Sequence, residues 1–377
     1  MIYFHIPFCK QACHYCDFHF STSLGQKADV LEALHKEVDQ RHLYLHDRTV
    51  HSIYFGGGTP SILDASDIDR LIDKVASHFD IAADVEITLE ANPDDLNKQK
   101  VNSLRNTSIN RFSIGIQSFY EEDLRWMNRA HNADEADSAI KRVQDAGFEN
   151  ITADLIYGYP LLTDEKWKAN IQRLLDHAIP HISSYAMTVE QKTALAHFIK
   201  QGKARAMDES QSAEQMSMLI DTLISNGFEH YEISNFAKPG HYAKHNTNYW
   251  RGVHYLGIGP SAHSFNGTSR SWNIANNAKY IQDIGSGEHH LETEQLSLQD
   301  RVNEYVMTAL RTMWGIDLQH VEQVFGQSAL AHIQDTVRPF INQQEVTQID
   351  HRYLRLTNSG KLLADHIASE LFLLEED

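Results

Sequence analysis

Short apolar runs rich in β-branched and aromatic residues alternate with amphipathic stretches through the first two-thirds of the chain. Runs of the first kind predict strands, and apolar residues recurring every three or four positions predict helices. The predicted strands are 2–6, 52–55, 85–90, 111–116, 150–156 and 182–188. The helices predicted between them are 26–40, 66–78, 98–105, 133–146 and 163–178. This alternation predicts an α/β fold built as a partial, open parallel α/β barrel.

The pattern changes in the last third of the chain. Residues 208–226 predict one longer helix, and residues 231–266 are rich in Gly, His and aromatic residues without a regular period. Further on, three helices, a short strand and a final helix predict a mostly helical, winged-helix-like domain; they are 299–313, 318–325, 329–342, 353–356 and the residues after 359. We therefore predict a barrel core at 1–230, a loop-rich connecting or cap region at 231–295 and a C-terminal helical domain at 296–377.

Charge and hydropathy exclude several classes of protein. The 33 basic and 51 acidic residues leave a formal charge of -18, which repels phosphate backbones, so we expect no nucleic-acid partner. No apolar run approaches the length of a membrane span and no signal peptide is evident, which predicts a cytoplasmic protein. The chain ends in Glu370, Glu375, Glu376 and Asp377, so its last domain favours a docking or lid role over DNA binding.

All three cysteines, Cys9, Cys13 and Cys16, follow the first predicted strand. An odd number at this tight spacing does not suit a disulfide framework. A structural zinc site is one interpretation, because tetrahedral zinc needs a fourth ligand and His5, His14 or His19 could supply it. The other is a 4Fe-4S cluster, in which three thiolates leave one iron open to an external ligand.

The Cys-x3-Cys-x2-Cys loop resembles the radical S-adenosylmethionine (SAM) superfamily, which favours the cluster over zinc. Polar residues also recur where predicted strands end, in Gly56-Gly57-Gly58-Thr59-Pro60 and at Glu90, Gln117 and Asp154. Each of these features singly is a turn or a cap, but several together indicate a shared ligand. The resemblance implies a SAM site made of Tyr3, Tyr15, Gly57, Gly58, Thr59, Glu90, Gln117, Arg129 and Asp154.

Further motifs extend the resemblance over nearly the whole chain. His5-Ile6-Pro7-Phe8-Cys9, Ile-Gln-Ser-Phe, Asp-Leu-Ile-Tyr-Gly-Tyr-Pro and Glu304-x-x-Met307 resemble the oxygen-independent coproporphyrinogen III oxidase-like family. True oxidases of that family carry another cysteine two residues after the third cluster ligand and a longer segment before the motif. Here that position is Phe18, and eight residues precede Cys9.

The chain is more similar to the HemW-type heme chaperone branch of that family, through Cys16-Asp17-Phe18 and His245-Asn246-x-x-Tyr249-Trp250. The resemblance implies binding of a 4Fe-4S cluster, SAM and heme, and delivery of heme to respiratory acceptor proteins. The resemblance also implies an electron donor if radical chemistry occurs. Two roles of SAM stay open: a consumed substrate or a structural ligand.

His245 is the candidate heme ligand, because imidazole is a standard axial ligand of heme iron. Without the resemblance, His245, Tyr249 and Trp250 would be interpreted as core anchors of a loop. Two enzymes are the rival functions: a coproporphyrinogen III oxidase of porphyrin metabolism, and a radical SAM methyltransferase or heme-modifying enzyme. No catalytic residue is assigned.

Overall fold

The computed structural model describes residues 1–374, so Glu375, Glu376 and Asp377 of the predicted acidic end lie outside the described residues. Six strands in the first half of the chain pair in parallel with their sequence neighbours. They are β1 (Ile2–Ile6), β2 (Thr49–Gly57), β3 (Asp80–Ala91), β4 (Arg111–Gln117), β5 (Ile151–Tyr157) and β6 (His181–Ala186). All six match predicted strands.

Three short strands extend this sheet at its two edges: β7 (Glu229–Glu232), β8 (Asn235–Ala237) and β9 (Leu256–Ile258). The nine-stranded order is β7-β8-β6-β5-β4-β3-β2-β1-β9, with β9 parallel to β1 and β8 antiparallel to β6. The sheet therefore ends in two different strands and is open. This confirms the predicted open, mostly parallel α/β barrel.

Helices connect the parallel strands, as expected for crossovers in a parallel sheet. They are α1 (Lys27–Arg41), α2 (Ala65–Ala76), α3 (Lys98–Leu104), α4 (Glu121–Trp126), α5 (Ala133–Asp145) and α6 (Asp164–Asp176), followed by α7 (Ala194–Lys200) and α8 (Glu209–Ser225). Asn132 begins α5 with a capping box, accepting a hydrogen bond from the Glu135 amide while the Glu135 side chain accepts one from the Asn132 amide. The short helices α4 and α7 were not predicted, whereas α3, which is equally short, was predicted at 98–105.

The two faces of the sheet differ in polarity. In β4, Phe112, Ile114 and Ile116 are fully buried in the main hydrophobic core, whereas Arg111 and Ser113 line an internal cavity. Successive strand residues point to opposite faces, so alternation of this kind places polar side chains inside the barrel and apolar ones under the helices. The interior is therefore a polar, ligand-accessible space.

The segment predicted to be a loop-rich cap contains more regular structure than expected. The predicted boundary after residue 230 falls inside β7, and β7, β8 and β9 belong to the main sheet. It also holds α9 (Lys244–Trp250), β10 (His263–Phe265), β11 (Ser269–Trp272), α10 (Asn277–Ser286) and β12 (Glu292–Gln295). Strands of three or four residues are too short to show a period, which is why the sequence pattern missed them. The division at 1–230, 231–295 and 296–377 stays a prediction.

The C-terminal region has a hydrophobic core of its own. It consists of α11 (Leu298–Leu310), β13 (Ile316–Asp317), α12 (Leu318–Phe325), α13 (Gln327–Thr336), α14 (Arg338–Asn342), β14 (Val346–Ile349), β15 (Tyr353–Leu356), α15 (Asn358–Lys361) and α16 (Ala364–Glu370). The three strands form a small sheet in the order β13-β15-β14. The mostly helical character of this region is as predicted. Within residues 1–374, no helix is both long enough and apolar enough to cross a membrane.

Candidate functional site

A cavity of about 490 Å³ lies inside the barrel at the carboxyl ends of the parallel strands. Ligand sites of α/β folds occupy this end, because the loops after the strands converge there. The cavity is lined by all the residues predicted for the cluster and for SAM except Tyr3, namely Cys9, Cys13, Cys16, Tyr15, Gly57, Gly58, Thr59, Glu90, Gln117, Arg129 and Asp154. One space thus gathers residues from six separate places in the sequence.

The three thiols stand on the loop between β1 and α1, and none forms a disulfide. The Thr59 hydroxyl donates to Cys9 Sγ at 3.4 Å, and Arg129 Nη1 donates to Cys13 Sγ at 3.5 Å. Hydrogen bonds to ligating sulfurs stabilise the thiolate form and tune a bound cluster. The loop is therefore tied to the next strand and to the helical segment after β4.

The histidines considered for a zinc site hold other partners. A ring nitrogen of His5 contacts the His19 carbonyl at 2.8 Å, and one of His14 contacts the Trp126 carbonyl at 2.9 Å. His19 Nε2 lies 2.8 Å from Asn277 Oδ1. In the described part of the chain, no group of three His, Cys, Asp or Glu side chains is placed to hold one metal ion. A cluster instead binds each cysteine to a different iron.

The glycine turn after β2 packs directly against the cysteine loop. Gly57 has a φ of +104°, and a Cβ on Gly58 would lie 2.7 Å from the carbonyl oxygens of Ile6 and Phe8. Only glycine fits both positions. The amides of Gly58 and Thr59 donate to those same two carbonyls, at 2.9 and 2.7 Å. Any ligand held here must therefore contact the turn's carbonyl oxygens or the Thr59 side chain.

Two half-buried carboxylates, Glu90 and Asp154, face the cavity from β3 and β5. Glu90 accepts from the Tyr54 hydroxyl at 2.7 Å and from the Gly57 amide at 3.2 Å. Burial raises the pKa of Glu90 from 4.5 to about 7, and the Asp154 charge adds to the rise. Burial likewise raises the pKa of Asp154 to about 6, against hydrogen bonds from Ser183 and Ser113 and the charge of Arg111. A cationic ligand would return both groups to the ionised form.

Arg129 and Gln117 carry polar atoms that no protein group satisfies. Arg129 Nη2 donates to Asn92 Oδ1 at 2.7 Å and to the Gly115 carbonyl at 2.9 Å, and Nη1 donates to the Tyr15 hydroxyl at 3.4 Å. Within residues 1–374, buried Arg129 Nε and Gln117 Oε1 have no hydrogen-bond partner. Gln117 also has a φ of +65°, which is strained for a side chain with a Cβ. Unpaired buried atoms and local strain together mark a ligand site.

Several cavity residues were missed by the sequence reasoning. Asn92 joins Arg129 to Thr59, and Ser113, His181 and Tyr185 line the wall. A sequence signal for these residues exists. Strands of a fully buried parallel sheet are apolar on both faces, whereas here polar residues occur at every second position. Such alternation identifies the inner face of a barrel.

Two predicted residues lie elsewhere. The Tyr3 hydroxyl contacts His5 Nδ1 at 3.3 Å, and its ring stacks on Tyr54, so Tyr3 lies behind the wall. His245 is 1% exposed, with Nδ1 2.9 Å from Ser52 Oγ and Nε2 3.2 Å from the Tyr249 hydroxyl. Burial holds the pKa of His245 well below its usual value, so the ring is neutral. Helix α9 therefore packs against β2 through His245, which is a core residue in this conformation.

Comparison with known proteins agrees with this geometry. Residues 3–174 match the radical SAM superfamily, and residues 296–363 match the HemN C-terminal domain. The chain is 33% identical to the heme chaperone HemW of Lactococcus lactis, over 99% of this chain and 97% of that protein. It is 31% identical to the protein of the same name from Escherichia coli, over 99% of this chain and 98% of that protein.

A solved structure shares the fold. The coproporphyrinogen III oxidase HemN from Escherichia coli, described as a radical SAM enzyme, superposes with a TM-score of 0.83 over 98% of this chain and 89% of that one. The two sequences are 24% identical, so this likeness concerns the fold. It covers the barrel and the C-terminal region together.

Proposed function

The chain belongs to the HemW family within the radical SAM superfamily, and from this premise we propose that it is a heme chaperone that passes heme to respiratory acceptor proteins. One observation carries the proposal over the oxidase alternative. The cavity keeps a full set of groups for a cluster and SAM, while position 18, where the resemblance places an oxidase cysteine, is a phenylalanine. Phe18 is 67% exposed at the cavity mouth, and the protein otherwise follows its chaperone relatives along its full length.

Cys9, Cys13 and Cys16 are the proposed ligands of the 4Fe-4S cluster that the superfamily implies. The fit rests on three thiols on one loop, two of them already accepting hydrogen bonds from Thr59 and Arg129. A bound cluster of this kind supplies one iron without a cysteine ligand, to which the amino and carboxylate groups of SAM coordinate.

The remaining cavity residues are proposed to orient SAM. Arg129 offers a guanidinium for the methionine carboxylate, and its unpaired Nε points to such a partner. Glu90 and Asp154 accept from the amino group or the ribose hydroxyls, and their negative charge offsets the positive sulfonium. Gln117, Tyr15 and the Gly57–Thr59 turn complete the set.

The predicted heme ligand, His245, is not available to iron in this structure. An axial histidine must present a free nitrogen lone pair to iron, and both nitrogens of His245 are engaged. Ligation by His245 therefore requires α9 to withdraw from the barrel. We place the protein in the cytoplasm, and we expect no nucleic-acid partner because of its charge.

Anaerobic reconstitution of the cluster tests the proposal. The holoprotein is incubated with SAM and dithionite and with either hemin or coproporphyrinogen III. Hemin binding is followed by the Soret band, transfer by its loss to an apo-acceptor, and porphyrin products by mass spectrometry. We expect stable, transferable hemin and no decarboxylated porphyrin.

A variant in which Cys9, Cys13 and Cys16 are all alanine is the control for the cluster and should lose iron and SAM binding. The appearance of protoporphyrinogen with the wild-type holoprotein would overturn the chaperone proposal and favour the oxidase. Failure of the holoprotein to bind hemin at all would overturn it as well.

A further inference from the structure

A second cavity, of about 540 Å³, opens at the other end of the barrel. Its volume is within the range of about 300–1,000 Å³ that is usual for small-molecule and cofactor sites. Its walls come from the amino ends of β2 and β3, from α9 and from the C-terminal region. The residues that matter for its chemistry are His51, Lys244, Thr247, Arg251 and Trp314.

This cavity is distant from the cluster site. His51 and Gly57 stand six residues apart on β2, and a strand rises about 3.3 Å per residue, so the two sites are about 20 Å apart. Helix α9 separates them: Asn246 lines the first cavity, whereas Thr247 and Arg251 line the second. A ligand in the second cavity would not displace SAM from the first.

The lining suits a flat, largely apolar ligand that carries carboxylates. Trp314 presents an aromatic face, and the Arg251 guanidinium stacks on it with Cζ 4.2 Å from the ring centroid. Stacking leaves the N–H edge of a guanidinium free to pair with carboxylates. The Asp84 carboxylate, which would repel an anion, is paired with Lys244 Nζ at 2.6 Å.

A buried polar group without a partner lies beside this cavity. Thr247 is one of the lining residues, and within residues 1–374 its buried Oγ1 has no hydrogen-bond partner. Buried hydroxyls are nearly always paired, so this atom is an exception in the wall of the cavity.

His51 has an accessible imidazole ring, which His245 lacks. His51 lies on β2 and is exposed on the cavity wall, whereas His245 on α9 is buried with both ring nitrogens engaged. We infer that heme, the cargo in the proposed function on which this inference rests, occupies the second cavity with His51 as an axial ligand. Arg251 then pairs with a propionate, and Trp314 packs against the porphyrin edge.

Hemin titration of the full-length, cluster-loaded protein tests this assignment. The variants are His51→Ala, Arg251→Ala and His245→Ala, with His290→Ala as a matched control because its side chain is exposed away from both cavities. We expect His51→Ala to weaken hemin binding about tenfold or more and to change the Soret position, because losing even a group that orients a metal ligand costs metal sites about 10–100-fold. Arg251→Ala should weaken binding less, and saturating SAM should leave wild-type hemin affinity unchanged.

The outcomes are distinguishable. If His245→Ala abolishes binding while His51→Ala stays within twofold of wild type, or if SAM competes with hemin, heme lies elsewhere and the inference is overturned while the chaperone proposal stands. If wild-type protein binds no hemin, the proposed function fails first. His51 is exposed, so thermal unfolding of His51→Ala should match wild type and separate loss of a ligand from loss of the fold.

Discussion

Two carboxylates of this protein, Glu37 and Glu90, lie in contrasting surroundings. Glu37 on α1 is fully buried, and its oxygens accept hydrogen bonds from the Gly259 amide, the Tyr280 hydroxyl, Asn273 Nδ2 and Arg41 Nη1, at 2.6 to 3.1 Å. Three positions distant in sequence and one residue of the same helix thus converge on one charge. Because the carboxylate is surrounded by protein donors, we assign it a structural role.

Glu90 is only half-buried, and several polar groups around it lack partners. It borders a cavity in which Arg129 Nε and Gln117 Oε1 find no partner in the described chain. Its pKa is raised to about 7, chiefly by burial. Burial alone therefore does not identify a binding residue; the informative features are unpaired donors and acceptors beside an open space.

Removing the Glu37 carboxylate, whose oxygens accept four hydrogen bonds, should have the largest effect on stability. Glu37→Ala leaves Arg41 buried without its ion pair, so we expect a loss of about 3–5 kcal/mol in the free energy of unfolding. Chemical denaturation measures this loss. Glu32→Ala, on the exposed face of the same helix, is the control and should change stability little. A Glu37→Ala protein as stable as wild type would contradict the structural role.

Removing the charge of Glu90 should lower the affinity for SAM instead of the stability. Glu90→Gln keeps the shape of the side chain, and hydrogen bonds to charged groups contribute about 1.5–3 kcal/mol, so we expect SAM affinity to fall about ten- to hundredfold. Equilibrium dialysis with SAM gives the affinity, and chemical denaturation should show no loss of stability. Glu149→Gln, at an exposed site, is the control. Unchanged SAM affinity would place the ligand elsewhere.

The pH dependence of SAM binding sharpens the same contrast. Ionised Glu90 attracts the cationic ligand, and its pKa is about 7 in the free protein. As the pH falls below 7, protonation competes with binding, so affinity should weaken by up to about tenfold per pH unit, which is 1.36 kcal/mol. The dependence should flatten in Glu90→Gln. Affinity that stays constant between pH 8 and 5.5 in wild type would argue against this role.

The smallest effect is expected at the link between the cavity and the cysteine loop. Thr59→Val removes the O–H donor to Cys9 Sγ while keeping the side-chain volume, at a cost of about 1 kcal/mol in stability. Loss of a hydrogen bond to sulfur should lower the reduction potential of the reconstituted cluster. A redox titration monitored by electron paramagnetic resonance measures it, with Thr107→Val, away from the cavity, as the control. An unchanged potential would show that this contact does not tune the cluster.

The local pattern of the sequence determined the order of strands and helices, the cysteine loop and most of the residues that line the first cavity. Side-chain periods and turn residues depend on near neighbours in the chain, so they can be recognised without the fold. Parallel strands bring their carboxyl ends to one edge, which is why Glu90, Gln117 and Asp154 line one cavity.

Only the tertiary structure decided which polar residues are satisfied. Glu37 is joined to Gly259 and Tyr280, more than 220 positions away, and no local pattern encodes those contacts. The burial of His245 likewise depends on Ser52, 193 positions earlier in the chain. Whether a histidine is a core anchor or an available ligand is set by the atoms around its ring, and long-range packing alone brings those atoms together.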